Sequence, residues 1–148
     1  MLMPGRAHTV RIGEGRVVDM GNVRMRVLAA GLDTTDRAFT LTEFSGGSGP
    51  WTVPHLHRAM EESFFVLDGA FIFTVGEEAI EAGPGDYVLV PRETRHGIVA
   101  SRAGRCLVLM VPGGLEEMFF ELGELPPDSL TDPVVRAAIA ARFDSVPV

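Results

Sequence analysis

The stretch "HLHRAMEESFFVLDG", residues 55–69, holds two of the four histidines of this 148-residue chain. On a β-strand, residues i and i+2 point to the same face, so His55 and His57 can converge on one ion from roughly 7 Å apart. On a helix the two rings would diverge by about 200° and could not chelate together. Pro54 favours extended backbone for Val53, which agrees with the strand interpretation. Taken alone, a His-x-His pair is weak evidence for a metal site.

A carboxylate follows the histidine pair at the head of an apolar strand. By alternation Glu62, Phe64 and Val66 share one face of this strand, and both faces are apolar beyond Glu62. A carboxylate in such a place is costly to bury unless it is paired or bound to a cation. Glu61 is the competing candidate ligand, but a solvated turn residue is the better interpretation of that side chain.

His96 is the third histidine that lies near predicted strands. It starts a strand after Pro91 has ended the preceding one. Considered by itself, His96 would be interpreted as a capping or surface histidine near Arg92 and Arg95. The remaining histidine, His8, lies in the N-terminal segment outside the predicted barrel.

The middle of the chain predicts many short strands separated by Gly, Pro and Asp signals, as in an antiparallel sandwich or barrel. The fold class is therefore all-β, in a single domain over residues 1–148 with a barrel core at about 23–112. The predicted strands cover residues 24–29, 38–44, 51–57, 63–67, 70–75, 79–81, 86–90, 96–100 and 105–111, with an edge strand at 16–20.

The tail, residues 113–148, changes character and predicts one or two short helices. Apolar residues recur with helical spacing over 115–122, and a turn-rich connector follows. Thr131 or Asp132 can cap a second helix that has Pro133 at its first position and continues through "VVRAAIAARF". These helices can cover an end of the barrel or pack against a partner chain, and the sequence does not decide between the two.

Composition excludes several classes of function. The formal net charge of −7 and the lack of a basic cluster argue against nucleic acid and anionic membrane surfaces. No lysine is present, which excludes a Schiff base, a PLP-linked lysine and a phosphate-loop lysine. Cys106 lies in an apolar run and predicts a buried structural thiol without a disulfide, as expected in a reducing cytoplasm. The sequence contains no long apolar segment of the kind that predicts a signal peptide or a membrane span, so a cytoplasmic location is expected.

The spacing of these residues resembles that of the cupin superfamily. Gly49, five residues, His55, one residue, His57, four residues, Glu62, six residues and Gly69 match the first cupin motif completely. A second stretch matches the second motif in part: Gly85, five residues, Pro91, and then His96 after four more. Glu93 stands where the superfamily usually has glycine, and Ala100 where it often has asparagine.

The resemblance implies a jelly-roll type cupin barrel of six to eight strands that binds one divalent metal ion through His55, His57, Glu62 and His96. Three neutral imidazoles and one carboxylate would leave a divalent ion with a net charge of +1 and one or two open coordination positions. Open positions indicate catalysis or ligand exchange rather than a sealed structural site. Iron, nickel, manganese, cobalt and zinc all suit such ligands.

A barrel of this size holds at most a small ligand, which we expect to be compact and apolar or aromatic, with an oxygen that can bind the metal. Most aromatic side chains of the strands are expected in the core. Four residues are nevertheless the candidates for substrate contact: Phe64, Trp51, Phe73 and Met110.

Among cupins the whole chain is similar to small, single-domain quercetin 2,3-dioxygenase-like proteins. The resemblance implies an oxygen-dependent dioxygenase that acts on a small aromatic or enolic substrate such as a flavonol, with Glu62 as metal ligand and proton acceptor. Two alternatives remain open: a non-redox metal-dependent isomerase, cyclase or decarboxylase, and a metal-anchored small-molecule binding module. The resemblance also implies a homodimer, formed by edge-strand exchange or through tail residues, namely Leu115, Met118, Phe119 and Ile139.

Overall fold

The computed structural model describes residues 2–148, which fold into nine strands and three short helices. The strands are β1 (Val17–Asp19), β2 (Val23–Ala29), β3 (Thr40–Gly46), β4 (Gly49–Leu56), β5 (Glu61–Val75), β6 (Glu78–Ala82), β7 (Tyr87–Val90), β8 (His96–Val111) and β9 (Val146–Pro147). The helices are α1 (Glu116–Gly123), α2 (Pro127–Leu130) and α3 (Pro133–Ala140).

Every strand pair is antiparallel, and two long strands organise the sheet. One path of hydrogen-bonded neighbours runs β1-β2-β3-β8-β4-β9, while β5 pairs with β8, β7 and β6. The ladder is not closed into a complete ring within the described residues. The all-β prediction with short C-terminal helices is confirmed.

Strands β5 and β8 differ from the sequence prediction, which divided each of them into two. Asp68 and Gly69 predict a turn, but here they form an irregularity inside one continuous strand, with register shifts between Val66 and Phe71. Gly69 adopts a φ of 92°, and a Cβ there would lie 2.6 Å from the Cα of Gly104 on β8. The two glycines thus allow a close backbone approach while both strands bend and continue.

The core lies between the two halves of the folded sheet and follows strand alternation. In β2, for example, Val23, Met25 and Val27 are buried while Arg24 is exposed. The aromatic centre consists of Phe64, Phe71 and Phe73, each about 1% exposed. Burying each of these rings contributes roughly 1.5–3 kcal/mol relative to exposure.

Helices α1 and α3 contact strands of this chain's own sheet, and α2 packs against α3. Leu115, Met118 and Ile139 are buried in the core, and Phe119 contacts the ring of Phe44 edge-on at 5.5 Å between centroids. These tail residues therefore pack against other residues of the same chain. The homodimer stays a prediction.

The buried carboxylate of Glu116 fixes the start of α1 to the sheet. It accepts hydrogen bonds from the backbone N–H of Leu32 at 2.9 Å and from the hydroxyl of Thr40 at 2.6 Å.

The second predicted helix ends at Ala140 rather than continuing through Phe143. Helix α2 and strand β9 are additions that the sequence prediction lacked. No helix in residues 2–148 combines the length and apolar character needed to cross a bilayer.

Glu93, which stands where the second motif usually has glycine, adopts a left-handed backbone conformation. Its φ is 59°, and its N–H donates to the carbonyl of His57 at 2.6 Å. The left-handed conformation destabilises the fold by about 1–2 kcal/mol for a residue that has a Cβ, and a glycine at the same position avoids part of this cost.

We expect Glu93→Gly to stabilise the fold by about 0.5–1 kcal/mol, seen as a rise of roughly 1–4 °C in the thermal midpoint. Glu93→Ala is the control, because it removes the carboxylate and keeps the strain. A lower midpoint for the glycine variant than for wild type would contradict this account.

Candidate metal centre and pocket

Four side chains from three parts of the sheet meet at one point. His55 lies on β4 and is paired in register with His96 at the start of β8, while His57 directly follows β4 and Glu62 lies near the start of β5. One ligand atom from each residue lies within 4.8 Å of the other three. The geometry therefore brings together all four predicted metal ligands, although they are spread over some forty positions of sequence.

Backbone carbonyls orient the three imidazoles. A carbonyl only accepts hydrogen bonds, so an Nδ1 that lies beside one carries the proton and leaves Nε2 as a lone-pair donor. The Nε2 atoms of His57 and His96 are buried and have no hydrogen-bond partner. The Nδ1 contacts are His55 to Val53 O at 2.7 Å, His57 to Asp144 O at 2.5 Å and His96 to Thr94 O at 2.9 Å.

Glu62 completes a donor set that suits a divalent cation. One carboxylate oxygen lies 2.9 Å from Nε2 of His57 but outside hydrogen-bond alignment. With the proton of His57 on Nδ1, the lone pair of its Nε2 would face a lone pair of the Glu62 carboxylate oxygen at this distance. A cation between them removes that repulsion, and so does an added proton on the imidazole. Buried imidazole nitrogens without partners, together with a carboxylate, therefore fit a resident metal ion.

Burial keeps two of the imidazoles neutral. It lowers the pKa of His55 to about 4, against the opposing attraction of the Glu62 carboxylate. Burial likewise lowers the pKa of His96. Both rings are thus available as metal ligands without losing a proton at neutral pH.

His57 and Glu62 form a coupled pair. Burial acts to lower the pKa of His57, but contact with the Glu62 carboxylate and the Asp144 carbonyl outweighs it and raises that pKa. Burial acts to raise the pKa of Glu62, but His57 and the other two histidines hold it below its usual range. The carboxylate is therefore ionised, as a metal ligand must be.

A segment that the sequence prediction missed holds the ligand strand in place. We call residues 141–148 the strap. Within the strap, Asp144 presents its carbonyl to His57, and its carboxylate accepts hydrogen bonds from the N–H groups of Arg58 at 2.7 Å and Ala59 at 2.9 Å. Strand β9 of the strap pairs Pro147 with His55. No periodicity marks these contacts in the sequence, because they join residues more than eighty positions apart.

A cavity of about 480 Å³ adjoins the cluster. It has the volume and the largely apolar lining of a small-molecule site. His55, His57 and Glu62 lie in its wall, and helices α1 and α3 contribute further wall residues. The other residues of the wall are Met20, Asn22, Val23, Phe44, Pro50, Trp51, Thr52, Val53, Phe64, Ile98, Cys106, Val108, Met118, Phe119, Leu122, Thr131, Pro133, Arg136, Ala137, Ala140, Ser145 and Pro147.

The four candidate substrate residues divide into two groups. Trp51 and Phe64 lie in the cavity wall. Phe73 and Met110 lie outside it in the core, where the Phe73 ring packs 5.0 Å from that of Phe64 and Met110 is fully buried. Substrate contact by any of the four stays a prediction, and the position of the cavity favours Trp51 and Phe64.

Cys106 lies in the cavity wall as a protonated thiol. Burial, with added repulsion from the carboxylates of Glu62 and Glu43, raises its pKa to about 12. An inert, apolar wall residue is the interpretation that fits this environment.

Comparison with known proteins bears on both the fold and the site. The Cupin domain family matches residues 42–112, which include all four clustered ligands. Quercetin 2,3-dioxygenase from Bacillus subtilis (strain 168) is 30% identical over 140 residues, which are 94% of this chain and 40% of that protein. The chain thus spans about two fifths of the length of this relative.

Solved structures share the fold at lower identity. KdgF from Halomonas sp. superimposes with a TM-score of 0.67 and 20% identity, covering 76% of this chain and 99% of that one. Pac13, a Streptomyces nucleoside dehydratase, gives a TM-score of 0.62 and 18% identity over 76% of this chain and 88% of that one.

Proposed function

This chain belongs to the cupin superfamily, and from that premise we propose that it is a metal-dependent dioxygenase for a compact aromatic or enolic substrate such as a flavonol. The observation that carries the proposal is the convergence of three imidazoles and the Glu62 carboxylate, with His55, His57 and Glu62 in the wall of a largely apolar cavity. The 30% identity to quercetin 2,3-dioxygenase favours this reaction among those that cupins perform.

The metal would be held by His55, His57, Glu62 and His96. A divalent ion there would supply Lewis acidity and, if redox-active, a means of reaction with dioxygen. Hydrogen bonds from Nδ1 to carbonyls keep the imidazole nitrogens aimed at the ion without further reorganisation.

The chain's own groups would bind and prepare the substrate. Phe64 and Trp51 present ring surfaces that can hold a flat apolar molecule in the cavity. Glu62 lies in the same wall and can accept the hydroxyl proton of an enol or phenol. The resulting anionic oxygen would then lie near the imidazole cluster, in a largely apolar cavity.

Oxygen uptake tests the proposal. The purified protein is first analysed for bound metals and then stripped and reloaded separately with iron, nickel, cobalt and manganese. We expect at least one of these forms to consume oxygen in step with the loss of a flavonol or related enolic phenol. Zinc-loaded protein is the redox-silent control. Absence of uptake with all four ions across a panel of such substrates would reject the dioxygenase assignment.

A non-redox reaction is the second candidate, because a metal-polarised carbonyl and the Glu62 base also suit isomerisation, cyclisation or decarboxylation. Pac13, a nucleoside dehydratase, has a similar fold, and a dehydration is a non-redox reaction. Turnover under strict anaerobiosis would favour this alternative. Saturable binding without product would instead favour a metal-anchored binding module.

A further inference from the structure

One cationic side chain lies in the cavity wall on helix α3. It is Arg136, the only one of the thirteen arginines that lines the cavity described here. Among residues 2–148, the other ionisable groups of this wall are the metal-ligating residues and the Cys106 thiol. As the only arginine in a largely apolar wall, Arg136 is therefore the residue most able to discriminate among ligands by their charge.

The guanidinium of Arg136 is positioned but not neutralised. Its Nη1 donates to the carbonyl of Leu130 at 3.1 Å, which fixes the side chain against the end of α2. Within residues 2–148 it forms no ion pair with a carboxylate. Arg142, six positions later, is paired with Glu121 outside the cavity. A half-buried cation that lacks a protein counter-ion is well suited to a carboxylate ligand.

Counting formal charges gives the same conclusion. A divalent ion with three neutral imidazoles and the Glu62 carboxylate carries a net +1, and Arg136 adds another positive charge to the same cavity. A ligand with one anionic oxygen at the metal would leave the half-buried Arg136 without a counter-charge. A ligand with two anionic oxygens would neutralise both charges.

We propose that Arg136 forms an anion subsite, so that the cavity takes a small aromatic or enolic acid with an ionisable hydroxyl at one end and a carboxylate at the other. The metal cluster binds the hydroxyl oxygen, and the guanidinium binds the carboxylate. The assignment of the hydroxyl end rests on the proposed function, whereas the carboxylate end rests on Arg136 alone.

Trp51 supplies a direct measure of binding, because it is the only tryptophan and lies in the cavity wall. Its fluorescence is titrated in zinc-loaded and metal-stripped protein with two matched ligand pairs: 4-hydroxybenzoate against 4-hydroxybenzamide, and 4-hydroxycinnamate against its amide. The members of each pair share their ring and hydroxyl and differ in one charge. Calorimetry of the same pairs guards against optical artefacts. We expect at least one carboxylate to bind about tenfold or more tightly than its amide.

Variants assign this preference to one residue. Arg136→Gln is expected to abolish the carboxylate preference and to leave the affinity for the amides within about twofold. Arg136→Lys keeps the charge without the planar fork and is expected to keep part of the preference. Arg142→Gln is the matched control and is expected to behave as wild type. Circular dichroism and thermal midpoints establish that each variant is folded.

The outcomes separate this inference from the proposed reaction. Equal binding of acid and amide by wild type, no saturable binding of either acid, or a preference that survives in Arg136→Gln would each overturn the anion subsite. If the preference holds but no oxygen is consumed, the subsite stands and the dioxygenase assignment fails. If oxygen is consumed with neutral phenols and no preference for the acids is found, the dioxygenase assignment stands and the anion subsite fails.

Discussion

Replacing Glu62 with glutamine is expected to weaken zinc or cobalt binding by more than about a hundredfold and to abolish turnover. Even outer-shell partners of metal ligands are worth about 10- to 100-fold in affinity, and Glu62 is the only anionic member of its cluster. The same change removes the proposed proton acceptor, which by itself is worth about 10²–10⁴ in rate. Competition with a chelating dye measures the affinity, and the absorption spectrum of the cobalt form reports the coordination.

The neighbouring residue provides the control for this experiment. Glu61 has the same side chain but is half-exposed at the first position of β5. Its Oε1 lies 3.3 Å from Nη1 of Arg92. Glu61→Gln should leave metal affinity and cobalt spectrum unchanged. Wild-type affinity in Glu62→Gln, or an equal loss in Glu61→Gln, would show that the carboxylate of Glu62 is not a ligand.

Removing the side chain of Asp144 is expected to have the second largest effect. The carboxylate holds the strap to the N–H groups of Arg58 and Ala59, and the strap in turn presents the carbonyl that orients His57. Without it the ring loses its fixed tautomer and direction, so we expect Asp144→Ala to weaken metal binding by about 10- to 100-fold. Asp144→Asn keeps one acceptor oxygen and should recover part of that loss. Metal titration with the same dye measures both variants.

Loss of stability alone must be separated from loss of positioning. Asp132 caps α3 by accepting from the N–H of Val134 at 2.9 Å, and Asp132→Ala is expected to cost about 0.5–2 kcal/mol of stability. This variant should keep wild-type metal affinity. If Asp132→Ala and Asp144→Ala reduce affinity equally, the strap acts only through global stability and not through His57.

The metal cluster was predictable because its residues obey local rules. Strand alternation places His55 and His57 on one face, and the expense of burying the Glu62 carboxylate indicates a cation nearby. The motif spacing then selected His96, whose own surroundings in sequence suggest only a surface residue. The left-handed backbone of Glu93 is consistent with a motif position that usually holds glycine, since glycine adopts that conformation at little cost.

Other features depend on distant contacts and were not predictable in this way. The signals at Gly69 and Gly104 indicate turns, yet each glycine lets a long strand bend at the place where the other strand approaches. Phe64 and Phe73 both have strand spacing, but they lie on either side of the register shifts in β5, and only Phe64 lies in the cavity wall. Asp144 lies in a short polar stretch with no pattern, so nothing local marks it as the partner of His57.

The strap also has a consequence for association between molecules. On one side of the main path the last long strand is β4, which the two-residue strand β9 covers only at His55 and Leu56. An uncovered strand edge offers backbone N–H and carbonyl groups to any other chain. Here Pro50 and Pro54 remove two donors from that strand, and Val146 and Pro147 cover its far end. The residues that order the ligand strand therefore also guard the molecule against intermolecular strand addition and aggregation.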